Sequence, residues 1–191
     1  MANQCFDQKQ ESLEPDQEPS DKNELFHWIL TLAIAVIIAL CVNRFVLVNA
    51  EIPSGSMENT IMTGDRVFGN RLAYIFGEPK RFDIIIFRYP DDEKQLFIKR
   101  IIGLPGETVE IHDGQIFIDG SKTPLKDVTT KEFMQGSFGP YTVPDNCYFV
   151  MGDNRNNSKD SRYWEHTFVT DDEIVGKAFL RYWPLNKIKF L

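Results

Sequence analysis

The chain has 191 residues, 42% hydrophobic and 26% charged, with 21 basic against 28 acidic side chains. At ~100–200 residues per domain that length allows one globular domain with short additions. Seven of the acids fall in the first 25 positions against two lysines, so the remainder is close to neutral and carries no basic block. This excludes a nucleic-acid binder, which needs a surplus of Lys and Arg on one surface.

Residues 1–24 are rich in Gln, Glu, Asp and Pro and poor in large apolar residues, and they read as a disordered acidic tail. Residues 25–43 carry no formal charge, and Leu25 to Val42 holds only His27 and Thr31 as polar members. No polar side chains recur at helical spacing, so a helix here has no solvent face. At 1.5 Å per residue it reaches roughly the ~30 Å of a hydrocarbon core, with Trp28 and Arg44 placed as interfacial anchors. A buried core helix is the competing reading. A cleaved secretory signal is a poorer one, because the preceding segment is acidic and Val48-Asn49-Ala50 makes a weak cleavage site. The segment reads as an uncleaved transmembrane anchor. Counting Lys and Arg near the span puts two before it and five after it, which by itself favours a cytoplasmic C-terminal body.

Residues 44–191 show short runs of β-branched and aromatic residues between turn signals. The runs are Phe45 to Ile52, Asp83 to Tyr89, Gln95 to Ile102, Thr108 to His112, Gln115 to Ile118, Cys147 to Met151 and Ile174 to Tyr182. His112-Asp113-Gly114 signals a hairpin. No amphipathic helix stands out, and the expected fold class is all-β. Cys5, Cys41 and Cys147 are scattered, as are His27, His112 and His166, so neither a disulfide framework nor a metal site is expected. No cofactor is expected either.

Three stretches carry chemistry. Pro53-Ser54-Gly55-Ser56-Met57 crowds two hydroxyls around a glycine after a strand, where a hydroxyl can be exposed for attack while backbone N–H groups converge on a developing oxyanion. An ordinary loop has the same composition. Alternation along the Gln95 to Ile102 strand places Phe97, Lys99 and Ile101 on one face and Leu96, Ile98 and Arg100 on the other. A lysine desolvated among Phe and Ile can be neutral and accept a proton from a serine. On a half-exposed sheet Lys99 would instead face water and Arg100 be buried. The third stretch, Gly152 to Arg162, is polar throughout. It fails as a calcium loop because Arg155 falls where an oxygen ligand is required, and it suits an ordered network in which Asp160 takes a bidentate arginine.

These stretches, in this order behind one apolar span, resemble the bacterial type I signal peptidase family. Pro53 to Met57 resembles the nucleophile box, Gly64-Asp65-Arg66-Val67 the next, Lys99 to Gly106 the lysine box, and Gly152 to Arg162 the last. The resemblance implies a compact β-fold with a short inserted subdomain, at about residues 106–147, following one transmembrane helix. It implies Ser56 as nucleophile and Lys99 as general base. It further implies that Ser54 joins the Ser56 N–H in the oxyanion hole, that Ser158 orients the Lys99 amine, and that Asp160 and Arg162 support the site. The implied substrates are exported preproteins with small residues at −1 and −3. The implied location is the bacterial cytoplasmic membrane, with the N-terminus cytoplasmic and residues 44–191 outside, against the charge count. One departure concerns position 59, where the family pattern Ser-Met-x-Pro-Thr has proline and this chain has Asn59. The alternatives are another Ser-Lys processing peptidase of similar fold, or a non-catalytic membrane-anchored β-domain that binds partners.

Overall fold

The computed structural model describes residues 21–127 and 132–191, with side chains from Glu24 onward. Residues 1–20, which make up most of the expected acidic tail, lie outside the described residues. The chain divides into two units, residues 1–40 and 41–191.

In the first unit, helix α1 (Asp21–Cys41) begins four residues before the expected start. One π-helical turn, Val42–Val46, carries the helical path five residues further at the head of the second unit. The apolar span Glu24–Val46 has a mean hydropathy of 2.6, and none of its most apolar window is buried inside the protein. That exposure excludes the core-helix reading, because an apolar helix of this length with no protein cover requires a non-aqueous surrounding. The strand expected from Phe45 begins only at Leu47, where pairing with the next strand becomes available.

The second unit is β throughout. Its strands are β1 (Leu47–Glu51), β2 (Arg66–Asn70), β3 (Ile84–Tyr89), β4 (Asp92–Gly103), β5 (Thr108–His112), β6 (Gln115–Ile118), β7 (Phe138–Thr142), β8 (Cys147–Met151), β9 (Val169–Thr170), β10 (Ile174–Trp183) and β11 (Lys189–Phe190). Eight form one antiparallel sheet in the order β1-β2-β10-β3-β4-β8-β9, with β11 on β10. The other three form a small sheet, β6-β5-β7, contributed entirely by the chain between β4 and β8. The all-β class and the short insertion agree with the resemblance. The hairpin signal is realised as His112 facing Gln115 across Asp113 and Gly114, both at positive φ.

The central strand β3 is apolar on both faces, Ile84 to Phe87 all being buried, because core lies on each side of it. One core gathers Val48, Ile52, Met57, Ile61, Val67 and Ile98, and a second packs Phe87 and Tyr89 against Ile101 and Trp164. Strand β2 crosses the first core at Gly69, where a Cβ would lie 2.6 Å from Val48 Cγ1 and 2.8 Å from Ile86 Cδ1. A side chain there would collide with both of these core side chains. Met57 and Ile61 are fully buried, so the loop after β1 is drawn down onto the sheet by hydrophobic burial.

Candidate active site

Ser56 sits in a single 3-10 turn, Gly55–Met57, directly after the extended Ser54. Two main-chain bonds close the loop around it, Ile52 N–H to Asp65 O at 3.0 Å and Gly64 N–H to Ile52 O at 2.8 Å. On the other side, Asn154 donates from its main-chain N–H to Ser56 O at 3.1 Å and from its amide to Gly55 O at 3.0 Å. The turn is therefore clamped between the end of β1 and the loop after β8. Ser56 is 7% exposed.

Strand β4 brings Lys99 to it. The Lys99 Nζ lies 2.7 Å from Ser56 Oγ, 3.2 Å from the Ile98 carbonyl oxygen and 5.3 Å from the Phe97 ring centre. Of the two open readings of the strand, the one that turns Lys99 to water does not hold. Lys99 is 3% exposed and Arg100 is 8% exposed, so both faces of β4 are covered here. Each basic side chain finds a different solution. Arg100 is held bidentately by Asp153 at 2.7 Å from both Nε and Nη2, and its Nη1 donates to Phe82 O at 2.7 Å. Lys99 has no ion-pair partner among the described residues, and burial lowers its pKa from 10.5 to about 8, against the opposing charges of Asp160 and Asp153.

Two carboxylates therefore act on Lys99 from a distance, although neither binds it. Each is already committed. Asp160 is clasped by Arg162 at 2.8 Å and 2.9 Å and accepts the Gly152 N–H at 3.0 Å. Asp153, besides Arg100, accepts from Thr60 Oγ1 at 2.5 Å. An arginine cannot be deprotonated, so each bidentate pair cancels an acid that would otherwise hold Lys99 charged. Arg162 in turn donates to the Arg155 carbonyl at 2.7 Å, and Arg155 pairs with Asp127 and donates to Gly152 O. The polar stretch from Gly152 to Arg162 thus supplies a buried network beside the serine and lysine, with Asp160 and Arg162 at its centre. Sequence reasoning missed the Arg100–Asp153 pair. The available signal was an arginine adjacent to a candidate buried lysine, which on a doubly covered strand demands an acid.

One expected contact differs. The Ser158 Oγ is buried with no hydrogen-bond partner among the described residues, and the second partner of Lys99 is the Ile98 carbonyl instead. Ser158 does belong to this site. A Cβ on Gly152 would lie 2.3 Å from both Ser158 Oγ and Ser56 O, so the glycine is what lets the two segments approach. Ser54 is exposed, with its Oγ 3.4 Å from Ser56 Oγ. Asn59, where the family pattern has proline, adopts φ +90°. A proline ring holds φ near about −65°, so this turn is one that proline cannot make. The Asn59 amide reaches Asp153 O at 3.4 Å, and Thr60 and Ile61 both donate from the main chain to Met57 O.

The serine and lysine open onto a cleft of about 560 Å³. Its walls include residues 49–51 of β1, Ile52 just after them, and residues 95–98 of β4. Strand β1 pairs only with β2, and β8 joins β4 only from Arg100 onward, so both walls present main-chain edges unpaired among the described residues. No group of His, Cys, Asp and Glu suited to a metal ion occurs among the described residues.

Comparison with known proteins bears on this arrangement. Residues 25–183 match the family model described as signal peptidase, peptidase S26. The chain is 38% identical over 178 residues to Signal peptidase I of Leptolyngbya laminosa, covering 90% of this chain and 86% of that one. It is 36% identical over 183 residues to Signal peptidase I of Bacillus licheniformis, covering 91% and 97%. A crystal structure of a signal peptidase I from Enterococcus faecalis matches at 37% identity and a TM-score of 0.45, over 52% of this chain and 96% of that one. With the family model spanning the apolar helix and nearly all of the β body, the chain belongs to the signal peptidase family, peptidase S26.

Proposed function

We propose that this chain, a membrane-anchored serine endopeptidase of the signal peptidase family, removes signal peptides from exported preproteins through Ser56 and Lys99. The observation that carries the assignment of the dyad is the 2.7 Å approach of a buried, carboxylate-free Lys99 Nζ to Ser56 Oγ. With its amine neutral, Lys99 accepts the Ser56 proton as Oγ bonds to the scissile carbonyl carbon. The negative charge then developing on the carbonyl oxygen is met by the Ser56 N–H and the Ser54 hydroxyl. The Lys99 ammonium returns its proton to the departing amine, leaving an acyl group on Ser56. A water deprotonated by the same lysine attacks the acyl carbon and regenerates the hydroxyl.

The two unpaired edges of β1 and β4 suit a substrate bound in extended form by main-chain hydrogen bonds. The apolar lining by Ile52, Ile86 and Ile98 suits the small uncharged residues at −1 and −3 that the family resemblance calls for. In this reading the span lies in the bacterial cytoplasmic membrane and the β body faces outside, where signal-peptide cleavage sites emerge. The orientation is checked by adding protease to intact spheroplasts, which should digest residues 44–191.

The function itself is tested by incubating the detergent-solubilised chain with a preprotein and measuring the products by mass spectrometry. The native chain should release the signal peptide and Ser56→Ala should release nothing. Equal cleavage by Ser56→Ala would refute the assignment of the nucleophile.

A further inference from the structure

The cleft is asymmetric in charge along its length. Strand β1 and strand β4 run in the same direction through the sheet order, and both run toward the serine and lysine. Asn49 and Gln95 therefore line the upstream end, while Asn157 and Lys159, from the loop after β8, line the end at Ser56. In that loop Ser158 and Asp160 are buried and the alternate residues Asn157 and Lys159 are exposed. The alternation fixes the outward direction of Lys159, because its two neighbours are buried.

Three charged side chains line this cleft: Glu51, Lys99 and Lys159. Glu51 is answered by Arg66 at 3.3 Å, and Lys99 is the buried base. Lys159 has no carboxylate partner among the described residues. It is the uncompensated cation of the cleft.

Chain direction decides which half of a substrate meets it. In this chain the apolar span ends at Val46 and leads, in chain order, into β1 and then Ser56. A substrate laid parallel to β1 and β4 has the same order, apolar segment first, and so enters at the Asn49 end and reaches Ser56 with its acyl half between the two strands. The residues after the scissile bond then leave past Asn157 and Lys159. We propose that Lys159 is a specificity-determining residue that favours an acidic side chain within the first few residues of the released chain. This rests on the processing reading given above.

The test uses two synthetic preprotein peptides identical except for Glu or Gln at the second residue after the scissile bond, cleaved by the full chain in detergent. For a solvent-accessible ion pair the expected preference of the native chain for Glu is roughly two- to fivefold in kcat/KM, shrinking at high salt. Lys159→Gln should abolish the preference, and Lys159→Glu should reverse it in favour of a Lys-bearing peptide. An effect of Lys159 exerted through the ionisation of Lys99 would change all peptides alike and leave their ratio untouched. A native chain that cleaves Glu and Gln peptides equally, or a preference that survives in Lys159→Gln, overturns this inference while leaving the processing activity standing. Cleavage of no peptide by the native chain would overturn both.

Discussion

Burying Lys99 costs stability, and the cost depends on pH in a way that can be measured. Its pKa falls from 10.5 to about 8 in the folded chain because burial disfavours the ammonium. Below pH 8 the lysine is charged in both folded and unfolded states, and the folded state carries the whole penalty. Between the two pKa values the folded chain has shed the proton while the unfolded chain retains it, so stability rises with pH. At ~1.36 kcal/mol per pKa unit the penalty is about 3 kcal/mol at pH 7 and less than about 1 kcal/mol at pH 10. Lys99→Met keeps the length of the side chain and removes the charge, so its stability relative to the native chain should fall by about 2–3 kcal/mol between pH 7 and pH 10. Any dependence of the hydrogen bonds to Ser56 and the Ile98 carbonyl on protonation is already contained in the Lys99 pKa, and the rest of their contribution cancels in that difference. Tyrosines whose ionisation is shifted by burial, such as Tyr89 and Tyr148, are common to both proteins and cancel as well. The assay is urea unfolding in detergent, followed by the fluorescence of the buried Trp164. A stability difference independent of pH would show that Lys99 is not desolvated as its burial indicates.

Three further outcomes are expected. Activity should rise with pH through a group titrating at about 8, the value burial gives Lys99, since only the neutral amine accepts the Ser56 proton; Lys99→Arg, permanently charged, should be as inactive as Ser56→Ala by product analysis. Asn59→Gly should fold and cleave like the native chain, whereas Asn59→Pro, unable to adopt φ +90°, should lose at least about 1 kcal/mol of stability and much of its kcat/KM, as read by urea unfolding and peptide cleavage. Gly152→Ala places a methyl group 2.3 Å from Ser56 O and Ser158 Oγ, so kcat should drop on the order of a hundredfold through displacement of the nucleophile, measured by single-turnover acylation.

The strands that could be read from the sequence were those whose burial pattern repeats along the chain. Ile84 to Phe87, Leu96 to Ile102, Val109 to Ile111 and Tyr148 to Met151 are continuous or alternating apolar runs, and each is a strand. Strands β2 and β7 were missed because each contains a residue that local rules count against a strand. Gly69 is in β2 because two neighbouring side chains cross there, and Pro140 is in β7, an edge strand whose ladder partner among the described residues is β5. The span was legible for the opposite reason, since a helix without a polar face has few places to go.

The site divides along the same line. The nucleophile turn, the lysine strand and the polar loop were recognisable as stretches, because reactive groups and turn residues leave local marks in sequence. Their meeting was not, since Ser56 and Lys99 are 43 positions apart and Lys99 could by periodicity have faced water. What decided it was the covering of both faces of β4. That burial desolvated Lys99 against Ser56, and it forced Arg100 onto Asp153 and Asp160 onto Arg162, so that no acid remained to keep the base charged. Residue types and their order determined which groups could react. The neutrality of the amine is a property of its surroundings, and only the tertiary structure supplies those.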